Sequence, residues 1–239
     1  MNKKIYLYFL PIRCILFFLV FYIGAGLVQT EVSAISNWWS IVATVVNLFT
    51  IGLLILVARK DHRTYGDMIH YQKGATKVRE VVIVSAVVIL VGMSGMYLAG
   101  WICYGVIPYM SPMMIAPIPL PLAVINVILL PLTVPFAEDG LYLGFGVNHI
   151  SNRVLAVCVP AFFFALQHSF IPLLFDIRFV VYRFLSFLPL TIILCVYYNK
   201  KRNPLPIMIG HGIIDLFTVA WILATSAVPG LYETLCGMI

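Results

Sequence analysis

Residues 119–149 read PLPLAVINVILLPLTVPFAEDGLYLGFGVNH. The stretch is apolar almost throughout, yet Glu138 and Asp139 stand side by side inside it. A helix rises 1.5 Å per residue and the hydrocarbon core of a bilayer is about 30 Å thick, so the segment is too long for one straight crossing. Pro131 and Pro135 each remove a backbone donor and favour a kink. The sequence therefore predicts a break near Pro135, with a new helix starting just after it.

The rest of the chain resembles this segment. Further apolar runs lie at about 11–29, 38–58, 81–103, 154–172, 178–198 and 204–226. Of 239 residues, 62% are hydrophobic and 10% charged, with a mean hydropathy of +1.03. Soluble domains carry about 25% charged residues, so a soluble enzyme, a disordered chain and a nucleic-acid-binding arm are excluded. The fold class is all-α: a polytopic membrane helix bundle with seven or eight transmembrane helices and the lipid bilayer as its partner. Residues 1–118 form N-terminal helices and a connecting loop, and residues 119–239 form a second transmembrane unit. Arg13 interrupts the first run near its start, and Val32-Ser33-Ala34 loosely resembles a cleavage site. More spans follow at once, so the first run is read as an uncleaved span.

The net charge of +6 reports topology rather than nucleic-acid binding. If the spans alternate, Lys3, Lys4, Arg13, Arg59, Lys60, Arg63, Lys73, Lys77, Arg79, Arg153, Lys200, Lys201 and Arg202 fall on one side. Only Arg178 and Arg183 fall on the other. The positive-inside rule then places the N-terminus, the 59–80 loop and the 199–203 loop in the cytoplasm. The 59–80 loop reads as a solvated connection or a surface-lying amphipathic segment, and Trp38-Trp39 as part of an outer aromatic belt. The compact size and short basic loops suit a bacterial cell membrane. Cys14, Cys103, Cys158, Cys195 and Cys236 are widely spaced, which fits small buried hydrophobes rather than a disulfide framework.

Ionisable residues inside the apolar runs carry the functional signal, because a charge at mid-bilayer costs at least about 2.5–3.5 kcal/mol. They are Glu138-Asp139, His168 in FFFALQHSF, and His211 with Asp215 in PIMIGHGIIDLFT. Residues four apart share a helix face, which pairs Phe164 with His168 and His211 with Asp215. Three segments can thus present carboxylates and imidazoles to one interior, where a carboxylate takes a proton from water and imidazoles orient it or stabilise an oxyanion. The same set offers ligands to a divalent metal such as zinc, with Glu138, His168 and His211 as the candidates. The bland alternatives are interhelical hydrogen bonding by the histidines and carboxylates placed at a helix N-terminus. His62, His70 and His149 lie near span boundaries and read as interfacial. No HExxH occurs. Gly92-Met93-Ser94-Gly95 resembles the GxSG of rhomboid proteases, but small residues also let helices pack closely.

The three segments, in this order, resemble the CPBP family of CAAX prenyl endopeptidases and bacteriocin-processing or immunity proteins, also called the Abi family. Its motifs are EExxxR, FxxxH and HxxxN or HxxxD. Glu138-Asp139 with Leu143 occupies the first, Phe164 to His168 the second and His211 to Asp215 the third. The resemblance covers about residues 119–226. It implies an intramembrane endopeptidase acting on a peptide or membrane-protein substrate near the cytoplasmic face. Glu138 is then the general base, His168 helps hold the water, and His211 and Asp215 form the oxyanion side, with Asp139 and Phe164 in support. Leu143 stands where the family has Arg, so Asp139 is expected to be protonated or bonded to a backbone or hydroxyl group, fixing the helix that bears Glu138. The alternatives are a non-catalytic immunity or scaffold protein that kept the fold, and a transporter using the same groups as a proton relay.

Overall fold

The computed structural model describes residues 8–237, so Lys3 and Lys4, on which part of the topology reading rests, lie outside the described residues. Among the described residues there is no strand. The principal helices are α1 (Ile12–Val28), α2 (Val32–Ser36), α3 (Trp39–Lys60), α4 (Tyr65–Met68), α5 (Val78–Tyr104), α6 (Leu120–Val134), α7 (Leu155–His168), α8 (Ile177–Lys201), α9 (Leu205–Ala227) and α10 (Leu231–Cys236). A π-helix, Pro135–Val147, continues directly from α6.

Five helices among the described residues are long and apolar enough to cross a membrane: α3, α5, the combined Leu120–Val147 helix, α8 and α9. The protein is an integral membrane protein. Seven or eight spans were expected; five reach that length, and α1 and α7 are shorter apolar helices. The expected break at Pro135 is a change of winding instead. Pro135 keeps helical angles (φ −61°, ψ −38°), and the chain passes into i→i+5 winding without leaving the helix. That winding is rare and tends to occur at functional sites.

Local chemistry sets the other boundaries. The Asp176 side chain caps α8 by accepting from the Arg178 N–H at 2.9 Å. Gly105, at φ +72°, ends α5 in the left-handed region that favours glycine. The Gly92–Gly95 stretch is a packing device: a Cβ on Gly95 would lie 2.5 Å from the Ser186 carbonyl oxygen of α8. Ser94 points away from the bundle and is exposed.

Several loop and boundary readings change. Met68 and Ile69 of the 59–80 loop are buried. Tyr65 donates its hydroxyl to the Phe136 carbonyl at 2.6 Å, and Asn148 donates to the Met68 carbonyl at 3.0 Å. The loop therefore closes one end of the bundle instead of lying wholly in solvent. Trp39 is buried, leaving Trp38 alone at the surface. Cys14 and Cys195 are buried as expected, but Cys158 is exposed and Cys103 and Cys236 are half-buried. Arg183 is buried in the bundle. It donates to the carbonyls of His168 (3.3 Å) and Ile171 (2.8 Å), satisfying the open C-terminus of α7.

Two large apolar clusters make up most of the core, with a small third around Ala99, Phe179 and Tyr182. One contains Leu10, Leu54, Leu141, Phe164 and Met208. The other contains Phe17, Val46, Val134, Ile171 and Val219. Along each chain segment a polar residue separates the two: Arg13 between Leu10 and Phe17, Thr50 between Val46 and Leu54, Glu138 between Val134 and Leu141. His168 falls between Phe164 and Ile171, and His211 with Asp215 between Met208 and Val219. A polar layer thus crosses an otherwise apolar interior.

Candidate active site

The layer holds the five ionisable residues singled out inside the apolar runs. Glu138 and Asp139 come from the π-helix, His168 from the last residue of α7, and His211 and Asp215 from one face of α9. Glu138, Asp139, His168 and His211 are buried. The Asp215 side chain is 19% exposed and is the wettest of the set. At 1.5 Å per residue, His211 lies about 9 Å inside the Leu205 end of α9. The site therefore sits in the half of the bundle nearer the basic end formed by Lys60 and Arg202.

Glu138 Oε2 lies 3.7 Å from His168 Nε2 and 3.9 Å from His211 Nε2, and no protein group hydrogen-bonds to it. These separations exceed a direct hydrogen bond. A water set beside the three atoms can reach all of them. His168 Nδ1 is 2.8 Å from the Phe164 carbonyl oxygen. A carbonyl only accepts, so Nδ1 carries the proton, and in the neutral ring Nε2 is an acceptor aimed at Glu138. Phe164 stacks on Tyr142 with centroids 4.6 Å apart and lies 5.9 Å from the His211 ring, forming an apolar wall.

His211 bridges the acids. Its Nδ1 is 3.2 Å from Asp139 Oδ1 and its Nε2 3.7 Å from Asp215 Oδ2. Asp139 therefore has an imidazole partner from another helix, where the sequence suggested a backbone or hydroxyl group. Its Oδ2, like Asp215 Oδ2, is buried without a hydrogen-bond partner.

Arg13 was read from sequence as a boundary cation. It is fully buried at 0% exposure. Its Nε donates to Gln167 Oε1 (2.5 Å), Nη1 to Thr50 Oγ1 (2.9 Å), and Nη2 to Asn47 Oδ1 (2.8 Å) and Glu138 Oε1 (2.8 Å). Tyr142 also donates to Gln167 Oε1 at 3.2 Å. Sequence reasoning missed Arg13, Asn47, Thr50 and Gln167. The usable signal was the same for all of them: a strong polar group inside a predicted span.

The zinc expected from sequence on Glu138, His168 and His211 gains no support from the side-chain placement. Among the described residues no group of three or more His, Cys, Asp and Glu is placed to hold a metal ion.

No curated protein and no solved structure matches the chain. Residues 120–217 match the family model described as Rce1-like, type II CAAX prenyl endopeptidase Rce1-like. The matched segment contains Glu138, Asp139, Phe164, His168, His211 and Asp215, whereas Arg13 lies outside it. Residues 120–217, which carry the three motif segments of the polar layer, are thus a match to the CPBP family of CAAX endopeptidases.

Proposed function

We propose that this protein is an intramembrane endopeptidase of the CPBP type in which Glu138 activates water inside the bundle. The observation that carries the reading is the divided environment of the Glu138 carboxylate. Oε1 accepts from Arg13, while Oε2 is unpartnered and faces two imidazole nitrogens.

A water in that space donates one hydrogen to Glu138 Oε2 and the other to His168 Nε2, leaving a lone pair for attack. As the water oxygen bonds to the peptide carbonyl carbon, its proton passes to Glu138. His211, protonated on both ring nitrogens between Asp139 and Asp215, donates Nδ1–H to Asp139 and Nε2–H to the carbonyl oxygen as it becomes negative. Glu138 then hands the proton to the amide nitrogen, the C–N bond breaks, and a carboxylate and an amine leave. General-base help contributes about 10²–10⁴-fold, and one oxyanion donor about 10²–10³-fold.

On this reading residues 119–239 form the catalytic core and residues 1–118 the supporting helices. The basic end faces the cytoplasm, in a bacterial cell membrane. The substrate is a peptide or membrane-protein segment that enters beside Asp215. The prenylated CAAX terminus in the family's description is the first chemistry to try.

The test uses purified protein in detergent and two quenched fluorescent peptides, one ending in a farnesylated Cys-aliphatic-aliphatic-X sequence and one lacking the lipid. The wild type should cleave at least one peptide, and should do so in the presence of a strong chelator. Glu138→Gln should lose at least about 10²-fold in kcat with an unchanged melting temperature, since Gln still accepts from Arg13. Cleavage by Glu138→Gln at the wild-type rate removes the general base. A wild type inert toward both peptides favours the non-catalytic immunity or scaffold role.

A further inference from the structure

Resting on the peptidase reading above, we propose that Arg13 is the positioning residue of the site. It holds one oxygen of Glu138 and, through Gln167, the end of the helix that carries His168. The free carboxylate oxygen and the imidazole are thereby kept at a water-sized separation.

Guanidinium nitrogens are coplanar and fixed relative to one another, so the acceptors they bind are fixed too. Here Nε, Nη1 and Nη2 between them bind four acceptors: Gln167 on α7, Thr50 and Asn47 on α3, and Glu138 on the π-helix. Glu138 and Gln167 are thus tied to one rigid plate. Gln167 is the residue before His168, so the plate sets the base and the imidazole relative to each other.

A buried cation that served only as a counterion would be expected to engage both carboxylate oxygens, since the two-pronged geometry is the strong one. Arg13 takes only Oε1 and spends its other donors on neutral acceptors. The oxygen it leaves is the one that faces His168 and His211. The Phe17 ring lies 5.2 Å from the guanidinium carbon and closes its remaining face. Among the described residues no other Lys or Arg is ion-paired to Glu138, and Leu143 on the π-helix is an uncharged member of the apolar cluster. Lysine cannot replace the plate, because an ammonium is a point charge on a flexible stem.

The experiment measures kcat and KM separately for wild type, Arg13→Lys, Arg13→Met and Gln167→Leu on the fluorescent peptides, with melting curves for each. Arg13→Lys keeps the charge but loses the fork. Gln167→Leu breaks the connection toward His168, along with the Tyr142 hydrogen bond to the same oxygen, and stays neutral, so it decides the matter if the Arg13 variants do not fold. Each folded variant should lose about 10²-fold in kcat, the effect of misplacing reacting groups by about 1 Å, with KM within about twofold of wild type. Wild-type kcat in folded Arg13→Lys or in Gln167→Leu overturns the proposal, and so does a raised KM at unchanged kcat. An inactive wild type overturns the peptidase reading and this one together. An active wild type with unimpaired variants overturns this one alone.

Discussion

His211 Nδ1 lies 3.2 Å from Asp139 Oδ1, across two helices whose residues are 72 apart in sequence. Asp139 was expected to steady only its own helix. The contact gives it a second task, fixing which nitrogen of His211 faces Glu138. Asn keeps the acceptor oxygen but not the charge that supports a doubly protonated His211, so a ring that still donates Nδ1–H to it has no Nε2–H left for the oxyanion. We predict that Asp139→Asn lowers kcat by at least about 10²-fold, by analogy with carboxylates that orient a catalytic imidazole. The melting temperature should barely move. A variant with wild-type turnover would return Asp139 to a purely structural role.

Gly140 faces the Tyr65 hydroxyl and the Leu54 side chain, and a Cβ built there collides with the hydroxyl oxygen. Gly140→Ala should destabilise the protein by about 1–3 kcal/mol, the usual cost of overpacking. Tyr65→Phe removes the colliding atom and also the bond to the Phe136 carbonyl. The double variant should therefore be more stable than the sum of the single effects predicts, and a thermal double-mutant cycle reads the coupling. Strict additivity would show that the two groups do not compete for this space.

The 61–77 loop should open in acid. Partial desolvation, with Arg202, Arg63 and His149 adding to it, holds His70 below the usual histidine value although the residue keeps much of its surface in solvent. Its neutral form is thus favoured in the closed loop, and stability is lost as pH falls below about 6.5, where the open form takes up a proton. Hydrogen bonds from the Thr64 hydroxyl and N–H hold Asp67 below the usual carboxylate value. That contribution is present above about pH 4 and is lost at lower pH. Amide exchange across residues 64–71 at pH 7.5 and 5.5 measures the first step. Equal protection at the two values would refute it.

Cysteines placed at Lys73 and Lys201, in a background without the native five, should resist an impermeant thiol reagent on intact cells and react after lysis. Both positions are exposed on the basic end of the bundle. Two of the fifteen basic residues leave the sequence-based count, because Arg13 and Arg183 are internal. The remaining loop charges still favour one side. Efficient labelling from outside would invert the proposed orientation.

The three motif segments were legible because each breaks a local rule: lipid does not accept Glu138, His168 or His211 without compensation. The helices were legible for the same reason, since length and apolar character are local. Arg13 was not. It stands near the start of its run, where a cation reads as an interfacial anchor, and its carboxylate partner is 125 residues away. Arg183 misled in the same way, because the carbonyls it caps belong to a helix end that spacing alone does not place inside the bundle. The winding after Pro135 was misjudged because proline forbids one hydrogen bond but does not dictate whether the chain breaks or widens. Packing against Tyr65 and Leu54 attends the second outcome.

The separation between Arg13 and Glu138 also bears on how the protein is made. At about 5–20 residues per second, the guanidinium waits roughly 6–25 seconds in the nascent chain before its carboxylate is synthesised. Asn47 and Thr50 arrive within 34 and 37 residues, so pairing of the first helices gives the cation neutral company in the interval. A chain halted at residue 118 stays in that state permanently. We predict that it is degraded quickly in a pulse-chase experiment, and that Arg13→Leu, harmful to the finished protein, prolongs the lifetime of the fragment. Equal lifetimes would mean that biogenesis machinery, rather than Asn47 and Thr50, shelters the charge until Glu138 appears.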